Sequence, residues 1–330
     1  MKKIINSPET LVTEMLKGLT LGYPQYVKQV PDSNVIARSN KKVGKVALVS
    51  GGGSGHEPSH AGFVGEGMLD AAVCGPVFTS PTPDEVFKAI QAVKTDAGVL
   101  LIIKNYTGDV LNFEMAMEMA EAEGIKVAKV VVNDDVAVLN STYTVGRRGI
   151  AGTVLVHKIA GAAAEAGLSL DAVQKVAEKV IANVRTMGMA LNACTVPAAG
   201  KPGFVLADDE VEIGLGIHGE PGVVKEKIKK ADDLVAELLD KIFADMPVKG
   251  GDEVALLVNG LGGTPLMELL VANAKANAII TGKGAKIHHT NIGNFMTSIE
   301  MAGFSLSVLK LDAETKKFYD AKANTIAYKL

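Results

Sequence analysis

Three short strings of residues combine glycines with side chains that can act as acids, bases or nucleophiles. Residues 50–60 are Ser-Gly-Gly-Gly-Ser-Gly-His-Glu-Pro-Ser-His, residues 104–109 are Lys-Asn-Tyr-Thr-Gly-Asp, and residues 216–222 are Gly-Ile-His-Gly-Glu-Pro-Gly. Successive glycines let a backbone approach a ligand closely and direct its N–H groups at it. Each string follows a predicted strand, and open α/β sheets bind ligands at the carboxyl ends of their strands. The three strings are therefore the candidate binding segments.

The first string is close to two nucleotide-binding motifs and matches the zinc motif HExxH in its letters. It lacks the Lys-Ser or Lys-Thr of a P-loop, and GxGxxG fails because Pro58 stands three residues after Gly55. HExxH requires both histidines on one face of a continuous helix, whereas Pro58 suits the first turn of a helix and would leave His56 outside it. We therefore expect no metal at this string. A tight turn without a ligand remains the structural alternative.

Asp109 and Lys104 each have a structural explanation as well as a functional one. Aspartate is a favoured helix N-cap, and position 109 is where the cap of a predicted helix over 110–123 would fall. Lys104 could be the ordinary solvated end of a strand. The residue types alone do not separate the two explanations.

His218 differs from a typical core histidine because the glycines beside it leave one face of the ring open. This favours an imidazole that takes part in chemistry. His288 and His289 would point to opposite faces of a strand and make a poor metal pair, and His157 lies within a helical pattern. We expect these three histidines to be structural or peripheral. We expect the glycine-rich stretch 259–265 to pack the two halves of the chain together.

The elements that position these strings alternate between short apolar strands and helices, which is typical of βαβ units. The pattern predicts an α/β protein of two domains, 1–188 and 189–330, each with a sheet covered by helices, the first sheet largely parallel and the second mixed. In the first half the predicted strands are 45–50, 71–74, 98–104 and 126–132, and the predicted helices are 7–17, 82–93 (opened by a Thr82–Glu85 capping box), 110–123, 149–166 and 170–187. In the second half the predicted strands are 211–217, 253–258, 286–291 and 305–311, with helices at 224–244 and after Thr264-Pro265.

Composition limits the class of protein. The chain has 330 residues, with 34 basic and 37 acidic side chains, so its charge gives no indication of binding to nucleic acid or to an anionic membrane. Its two cysteines, Cys74 and Cys194, are too few for a disulfide framework. No signal peptide and no long uncharged apolar run is evident. We expect a cytoplasmic protein whose partners are a small molecule and other proteins.

Taken together, the three strings resemble the dihydroxyacetone kinase K family, and the resemblance covers essentially the whole chain. It implies that a ring nitrogen of His218 bonds to the carbonyl carbon of dihydroxyacetone, giving a hemiaminal. Glycerol has no carbonyl, so an imidazole would not capture it. The backbone of residues 53–55 (Gly53, Ser54 and Gly55) and the side chains of His56, Lys104 and Asp109 would hold the hydroxyls. Asp109 or His56 would be the general base.

The resemblance also implies partners. It points to the two-component form of the kinase in glycerol metabolism, in which a separate L subunit holds ADP and Mg²⁺ and is recharged from phosphoenolpyruvate through the phosphotransferase system. No cofactor or metal is then expected on this chain, and a homodimer is implied. The alternative is a catalytically silent paralogue that senses dihydroxyacetone and co-activates a transcription regulator. The presence of both His56 and Asp109 favours the enzyme. A zinc hydrolase is a distant third hypothesis.

Overall fold

The computed structural model describes residues 2–139, 145–220 and 222–330. In chain order the strands are β1 (Val27–Gln29), β2 (Val35–Arg38), β3 (Ala47–Ser54), β4 (Gly65–Glu66), β5 (Ala71–Val77), β6 (Val99–Lys104), β7 (Val127–Val132), β8 (Val184–Ala190), β9 (Glu210–Ile213), β10 (Val224–Lys227), β11 (Glu253–Gly260), β12 (Lys286–Gly293), β13 (Gly303–Leu311) and β14 (Asn324–Thr325). The helices are α1 (Leu11–Gly22), α2 (Pro83–Val93), α3 (Thr107–Ala122), α4 (Thr153–Glu165), α5 (Leu170–Asn183), α6 (Ala231–Asp245), α7 (Leu266–Gly282) and α8 (Ala313–Tyr319), with a short 3-10 helix at Ala61–Phe63.

The first sheet has the strand order β1-β2-β5-β3-β6-β7. Its four strands from β5 to β7 are parallel, and β2 and β1 extend it in antiparallel fashion. Helices α2 and α3 pack on one face, and α4 and α5 pack on the other. Because both faces are covered, the central strands are almost continuously apolar, which is why their runs were visible in the sequence.

The second sheet has the order β10-β9-β8-β13-β11-β12 and is mixed, since only β11 and β12 are parallel. Helices α6 and α7 cover one face. The opposite face contributes Ala255, Leu257 and Leu309 to the core that contains α4 and α5, so this helical layer is shared by the two sheets. The α/β class, with one largely parallel and one mixed sheet, is confirmed.

The glycine string of residues 50–60 was wrongly predicted to leave the strand after Ser50. β3 continues to Ser54, and Gly51, Gly52 and Gly53 pair with β5. The reason is the close approach of the two strands, because a Cβ on Gly51 would lie 2.4 Å from the Val73 carbonyl oxygen. The glycines therefore serve strand packing as well as access to the site.

Several predicted boundaries are wrong for reasons of tertiary pairing. The predicted helix 170–187 ends at Asn183, where the chain continues as β8 of the second sheet. Residue 188 lies within β8, and the division into domains 1–188 and 189–330 stays a prediction. The first four residues of the predicted helix 224–244 form β10, which pairs with β9, and α6 begins only at Ala231. The first helix begins at Leu11 rather than at residue 7.

The predicted Thr82–Glu85 capping box is also wrong, although α2 lies where it was expected. The Thr82 side chain makes no capping hydrogen bond. The Glu85 carboxylate instead accepts from the backbone N–H of Asn34, at 2.7 Å.

The structure also describes the apolar character of the helices and the state of the two cysteines. In the described ranges, no helix has both the length and the apolar character needed to cross a bilayer. Cys74 and Cys194 are both buried and both free.

Gly161 lies where α4 packs tightly against the backbone after β4, because a Cβ there would lie 2.5 Å from both the Gly67 carbonyl oxygen and the Met68 Cα. We expect Gly161→Ala to lower the free energy of unfolding by about 1–3 kcal/mol through overpacking. Gly18→Ala is the control, since Gly18 also lies in a helix but has no neighbour within 4 Å. It should raise the free energy of unfolding by roughly 0.5–1 kcal/mol. Urea denaturation measures the free energy of unfolding of both variants. A Gly161→Ala variant as stable as Gly18→Ala would contradict the close packing of α4.

Candidate functional site

A cavity of about 670 Å³ opens at the carboxyl ends of β3, β5 and β6. Its lining residues come from all three candidate strings and from the loop after β5; they are Gly53, Phe78, Thr79, Ser80, Tyr106, Thr107, Gly108, Asp109, Asn112, His218 and Glu220. Three of the predicted site residues, Gly53, Asp109 and His218, therefore share one cavity. This is the edge at which open parallel sheets bind ligands.

His218 reaches the first sheet from the second half of the chain. β9 ends at Ile213, Gly214 turns the backbone with a φ of +75°, and the buried side chain of Ile217 packs into the core shared by the two sheets. The His218 side chain is one-fifth exposed. Its ring lies edge-on to three aromatic neighbours, with centroid distances of 4.4 Å to Tyr106, 4.7 Å to His56 and 5.4 Å to Phe78.

The environment keeps His218 neutral. Burial lowers its pKa well below the usual value, and the nearby His56, Lys104 and Arg148 lower it further. A neutral imidazole has a free lone pair on one ring nitrogen. The His218 ring therefore has the chemistry that a nucleophile requires at neutral pH.

His56 lies directly against His218 and has a defined tautomer. Its Nδ1 is 2.8 Å from the Thr297 carbonyl oxygen, which can only accept, so Nδ1 carries the proton. Its Nε2 is buried and has no hydrogen-bond partner among the described residues. Burial is the main cause that lowers its pKa well below the ordinary range, and the Lys104 charge adds to it. His56 thus presents an unprotonated nitrogen inside the site.

Asp109 is not the helix N-cap, and that structural explanation is wrong. The cap of α3 is Tyr106, so Asp109 is the third residue of the helix and projects from its first turn. Its Oδ1 accepts from the Ser80 hydroxyl at 2.5 Å, and its Oδ2 lies 3.9 Å from the Lys104 Nζ. Burial raises the pKa of Asp109, while Lys104 and Ser80 oppose the shift. A carboxyl group with a raised pKa is a better proton acceptor than an ordinary one.

Lys104 is fully buried and is not a solvated strand end. Its Nζ has no hydrogen-bond partner in the part of the chain that is described, and it lies 5.3 Å from the centre of the Tyr106 ring. Burial lowers its pKa, against the attraction of Asp109 and Glu220. A Cβ on Gly52, where φ is +152°, would lie 3.0 Å from Nζ, so glycine makes room for this ammonium group.

Four predicted site residues do not line the cavity, namely Ser54, Gly55, His56 and Lys104. The His56 ring contacts His218 and the Lys104 Nζ lies 3.9 Å from Asp109, so these two stand directly beside the cavity. The Ser54 hydroxyl donates to the Gly75 carbonyl at 2.7 Å, and the Gly55 N–H donates to the Glu57 carboxylate at 3.1 Å. Both polar groups are thus used within the fold. A role for them in binding stays a prediction.

Sequence reasoning did not single out Phe78, Ser80, Tyr106 or Glu220. Tyr106 and Glu220 stood inside the candidate strings, and their hydrogen-bonding groups were a usable signal. Phe78 and Ser80 follow β5, so the rule that ligands bind at strand ends would have found them once the strand was extended to Val77. Pro221, which belongs to the third string, lies outside the described residues.

The remaining histidines lie outside the cavity. His60 Nδ1 is 3.0 Å from Nε2 of His157, and both rings are buried. Residues 57–60 form a turn, so His56 and His60 do not share a helix face. His288 contacts Asp320 and Glu253, and His289 packs near Tyr319. Within residues 2–139, 145–220 and 222–330, no three His, Cys, Asp or Glu side chains are grouped to hold a metal ion.

Comparison with known proteins gives consistent matches over nearly the whole chain. The model of the Dak1 domain matches residues 17–327. The PTS-dependent dihydroxyacetone kinase 1, dihydroxyacetone-binding subunit DhaK, of Listeria innocua is 55% identical over 314 residues, which are 95% of this chain and 95% of that protein.

Two solved structures are similar in fold and sequence. The dihydroxyacetone kinase operon co-activator Dha-DhaQ has a TM-score of 0.90 and 39% identity, over 95% of this chain and 97% of its own. The dihydroxyacetone kinase from C. freundii in complex with AMP-PNP and Mg2+ has a TM-score of 0.91 and 36% identity, over 99% of this chain and 61% of its own.

The buried histidines should make stability depend on pH. Burial lowers the pKa of His157 to about 3, so this ring stays neutral in the folded protein. In the unfolded chain it takes up a proton near pH 6.5, so the unfolded state binds more protons and stability falls with pH below that value. The variant His157→Gln keeps an acceptor for His60 but cannot titrate. Between pH 7 and pH 5 we expect its free energy of unfolding to fall by about 2 kcal/mol less than that of the wild type. Urea titrations at both pH values provide the measurement, and identical losses would refute a neutral His157.

Proposed function

The chain belongs to the Dak1 domain family, and we propose that it is the dihydroxyacetone-binding subunit of a phosphotransferase-dependent dihydroxyacetone kinase. The observation that carries this proposal is the neutral imidazole of His218 on a cavity that is also lined by the Asp109 carboxyl group. An enzyme that holds a ketone and deprotonates one of its hydroxyls needs a nucleophile and a base on one cavity. The name of the Listeria innocua relative, which matches 95% of both chains, supports the same function.

We propose that His218 captures the substrate as a hemiaminal. Its pKa is held well below the usual value, so the lone pair that must attack the carbonyl carbon is available at neutral pH. The surrounding rings of His56, Phe78 and Tyr106 limit the space around the imidazole. Selection is chemical, because a polyol of the same carbon skeleton offers no electrophilic carbon.

Polar groups at and beside the cavity would then form hydrogen bonds with the hydroxyl groups of the captured ketose. At the cavity itself the backbone of Gly53 can donate and the Asp109 carboxylate can accept. The Lys104 Nζ, 3.9 Å from that carboxylate and without a hydrogen-bond partner among the described residues, is a second donor beside the cavity. We propose Asp109 as the general base, because it lines the cavity and its pKa is raised by burial. We propose that His56, which lies against the nucleophile, assists the capture step.

The phosphoryl group would come from a separate L subunit that holds ADP and Mg²⁺ and is recharged from phosphoenolpyruvate. That subunit has to reach Asp109, so we propose that it docks over the cavity mouth and the outer face of α3. Thr79 is exposed at the mouth, and Leu111 and Met115 are more than half exposed on α3 beside it. Exposed apolar side chains beside a functional cavity suit a protein partner.

We also propose a homodimer in a reducing, cytoplasmic setting. The outer side of α7 carries four exposed apolar side chains at helical spacing, Leu266, Met267, Leu270 and Val271. Such a stripe on one helix suits a second copy of the same surface across a two-fold axis. The two free cysteines agree with a compartment that keeps thiols reduced.

A second candidate function has a specific observation in its favour. The co-activator Dha-DhaQ has the same fold over 95% of this chain at 39% identity, so a dihydroxyacetone-sensing co-activator is the alternative. In this chain Asp109 and His56 are both present and both lie at the site, which supports turnover. The two functions differ in whether a captured substrate is phosphorylated.

The capture step can be tested with dihydroxyacetone carrying ¹³C at its central carbon. We expect the carbonyl resonance to be replaced by that of a tetrahedral carbon on adding the protein, because His218 adds to this carbon. His218→Asn should abolish the change, whereas His289→Asn, at a half-buried histidine far along the chain, should preserve it. An unchanged carbonyl resonance at saturating protein would exclude covalent capture.

The base can be tested with Asp109→Asn, which keeps the size of the side chain and an acceptor for Ser80. We expect capture on His218 to survive and turnover with the L subunit and phosphoenolpyruvate to fall by roughly 10²–10⁴, the usual contribution of a general base. ATP and Mg²⁺ without the L subunit should give no turnover. Normal turnover in the variant would make His56 the base, and capture without turnover in the wild type would favour the co-activator.

A further inference from the structure

Glu220 has one carboxylate oxygen that accepts a hydrogen bond and one that accepts none from the described residues. Its side chain is 8% exposed. Oε2 accepts the backbone N–H of His218 at 2.8 Å. Oε1 is buried without a hydrogen-bond partner among the described residues, and it lies 4.0 Å from Nδ1 of the His218 ring. A buried carboxylate oxygen left without a hydrogen bond is costly, so its position beside the nucleophile requires an explanation.

The surrounding residues hold Glu220 in this place. Arg148 Nη1 lies 3.6 Å from Oε1, and Arg148 is itself fixed by Asp135 at 2.7 Å and by the Gly214 carbonyl at 2.9 Å. A Cβ on Gly216 would lie 1.7 Å from Oε1, so only glycine admits the carboxylate here. Arg148 and Asp135 are almost fully buried, with exposures of 2% and 1%. A chain of ion pairs of this kind holds the Glu220 carboxylate in position.

We infer that Glu220 is a positioning residue for the nucleophile: its Oε1 holds the proton of His218 on Nδ1 and so keeps the reactive lone pair on Nε2. This inference rests on the proposed capture of a ketone by His218. The backbone N–H of His218 holds the Glu220 carboxylate next to the ring of the same residue, with Oε1 4.0 Å from Nδ1. A ring that gains positive charge attracts this carboxylate more strongly than a neutral ring does. The arrangement has the logic of a carboxylate that orients a catalytic imidazole in a hydrolase triad.

Electrons and protons balance in the capture step when Glu220 has this role. The Nε2 lone pair forms a bond to the carbonyl carbon, and the π electrons of the C=O bond move to the oxygen, which takes a proton from water. The ring then carries a positive charge and a proton on Nδ1. Glu220 accepts that proton and passes it to water, so the neutral hemiaminal forms with no net gain or loss of protons.

A purely structural role for Glu220 would require only one of its side-chain oxygens and no charge. Accepting the His218 N–H requires one oxygen, and a glutamine side chain also supplies one. The charge and the second oxygen are needed only to select the tautomer. Glu220→Gln therefore keeps the shape and the backbone bond but removes the charge, and its amide can donate to Nδ1 and favour the wrong tautomer.

The test measures the His218 tautomer by ¹⁵N NMR and the rate of capture with ¹³C-labelled dihydroxyacetone. In the wild type we expect a proton on Nδ1 of His218 and none on Nε2. In Glu220→Gln we expect the proton to move to Nε2 and the rate of capture to fall by roughly 10²–10⁴, because the orientation of the imidazole is lost. Glu212→Gln is the matched control. Glu212 is also a buried carboxylate that accepts one backbone N–H, that of Gly222 at 2.8 Å, in the same part of the chain. It should leave both the tautomer and the rate unchanged.

The outcomes separate this inference from the proposed function. A wild type that forms no adduct with the ketone would remove the proposed function itself. An adduct that forms equally fast in the wild type and in Glu220→Gln would overturn only the role of Glu220. Urea titrations show whether Glu220→Gln is folded. If it is not, the ¹⁵N spectrum of the wild type tests the role of Glu220, because a proton on Nε2 of His218 in the free protein would also overturn the inference.

Discussion

The site depends on the hydrogen bonds that the buried Arg148 guanidinium makes to both halves of the chain. It donates to Asp135, which follows β7 of the first sheet, and to the carbonyl of Gly214, which follows β9 of the second. Burial raises the pKa of Asp135 to about 6, against the Arg148 charge. Breaking one partner of a buried ion pair leaves an uncompensated charge, so the two loops are strongly held together. This link ties the segment that carries His218 to the edge of the first sheet, where the strands end.

Burial in turn shifts the pKa values of four side chains at the site. The rings of His56 and His218 are kept neutral, the pKa of Lys104 is lowered, and the pKa of Asp109 is raised, with burial as the leading cause in each case. Several buried polar atoms lack hydrogen-bond partners in the described part of the chain, namely His56 Nε2, Lys104 Nζ, the Tyr106 hydroxyl and Glu220 Oε1. Unsatisfied groups reduce stability, and their concentration at one cavity indicates a site prepared to bind a polar molecule.

The errors of sequence interpretation share one physical cause, which is that local patterns do not report pairing partners. Residues 224–227 fit an amphipathic helix by their pattern, yet they form β10 because β9 offers an open edge. Asp109 has the residue type of an N-cap, but α3 begins at Thr107, and the carboxyl group turns towards Ser80 and Lys104 instead. The glycines after Ser50 suggest a turn, but they continue β3 because β5 approaches too closely for side chains.

The sequence by itself determined the α/β class, the central strands of the first sheet, the strands β11, β12 and β13 of the second sheet, and the strings that contain Gly53, Lys104, Asp109 and His218. These features are visible because apolar runs and glycine-rich strand ends are local properties of the chain. Only the tertiary structure decided that His218 from the second half stands over the first sheet and that Ser80 and Glu220 support the reactive groups. His218 and His56, which follows β3 of the first sheet, are far apart in sequence, and their contact exists only when the two sheets share one core. Protonation was likewise decided at this level, since a pKa depends on burial and neighbouring charges that no local pattern contains.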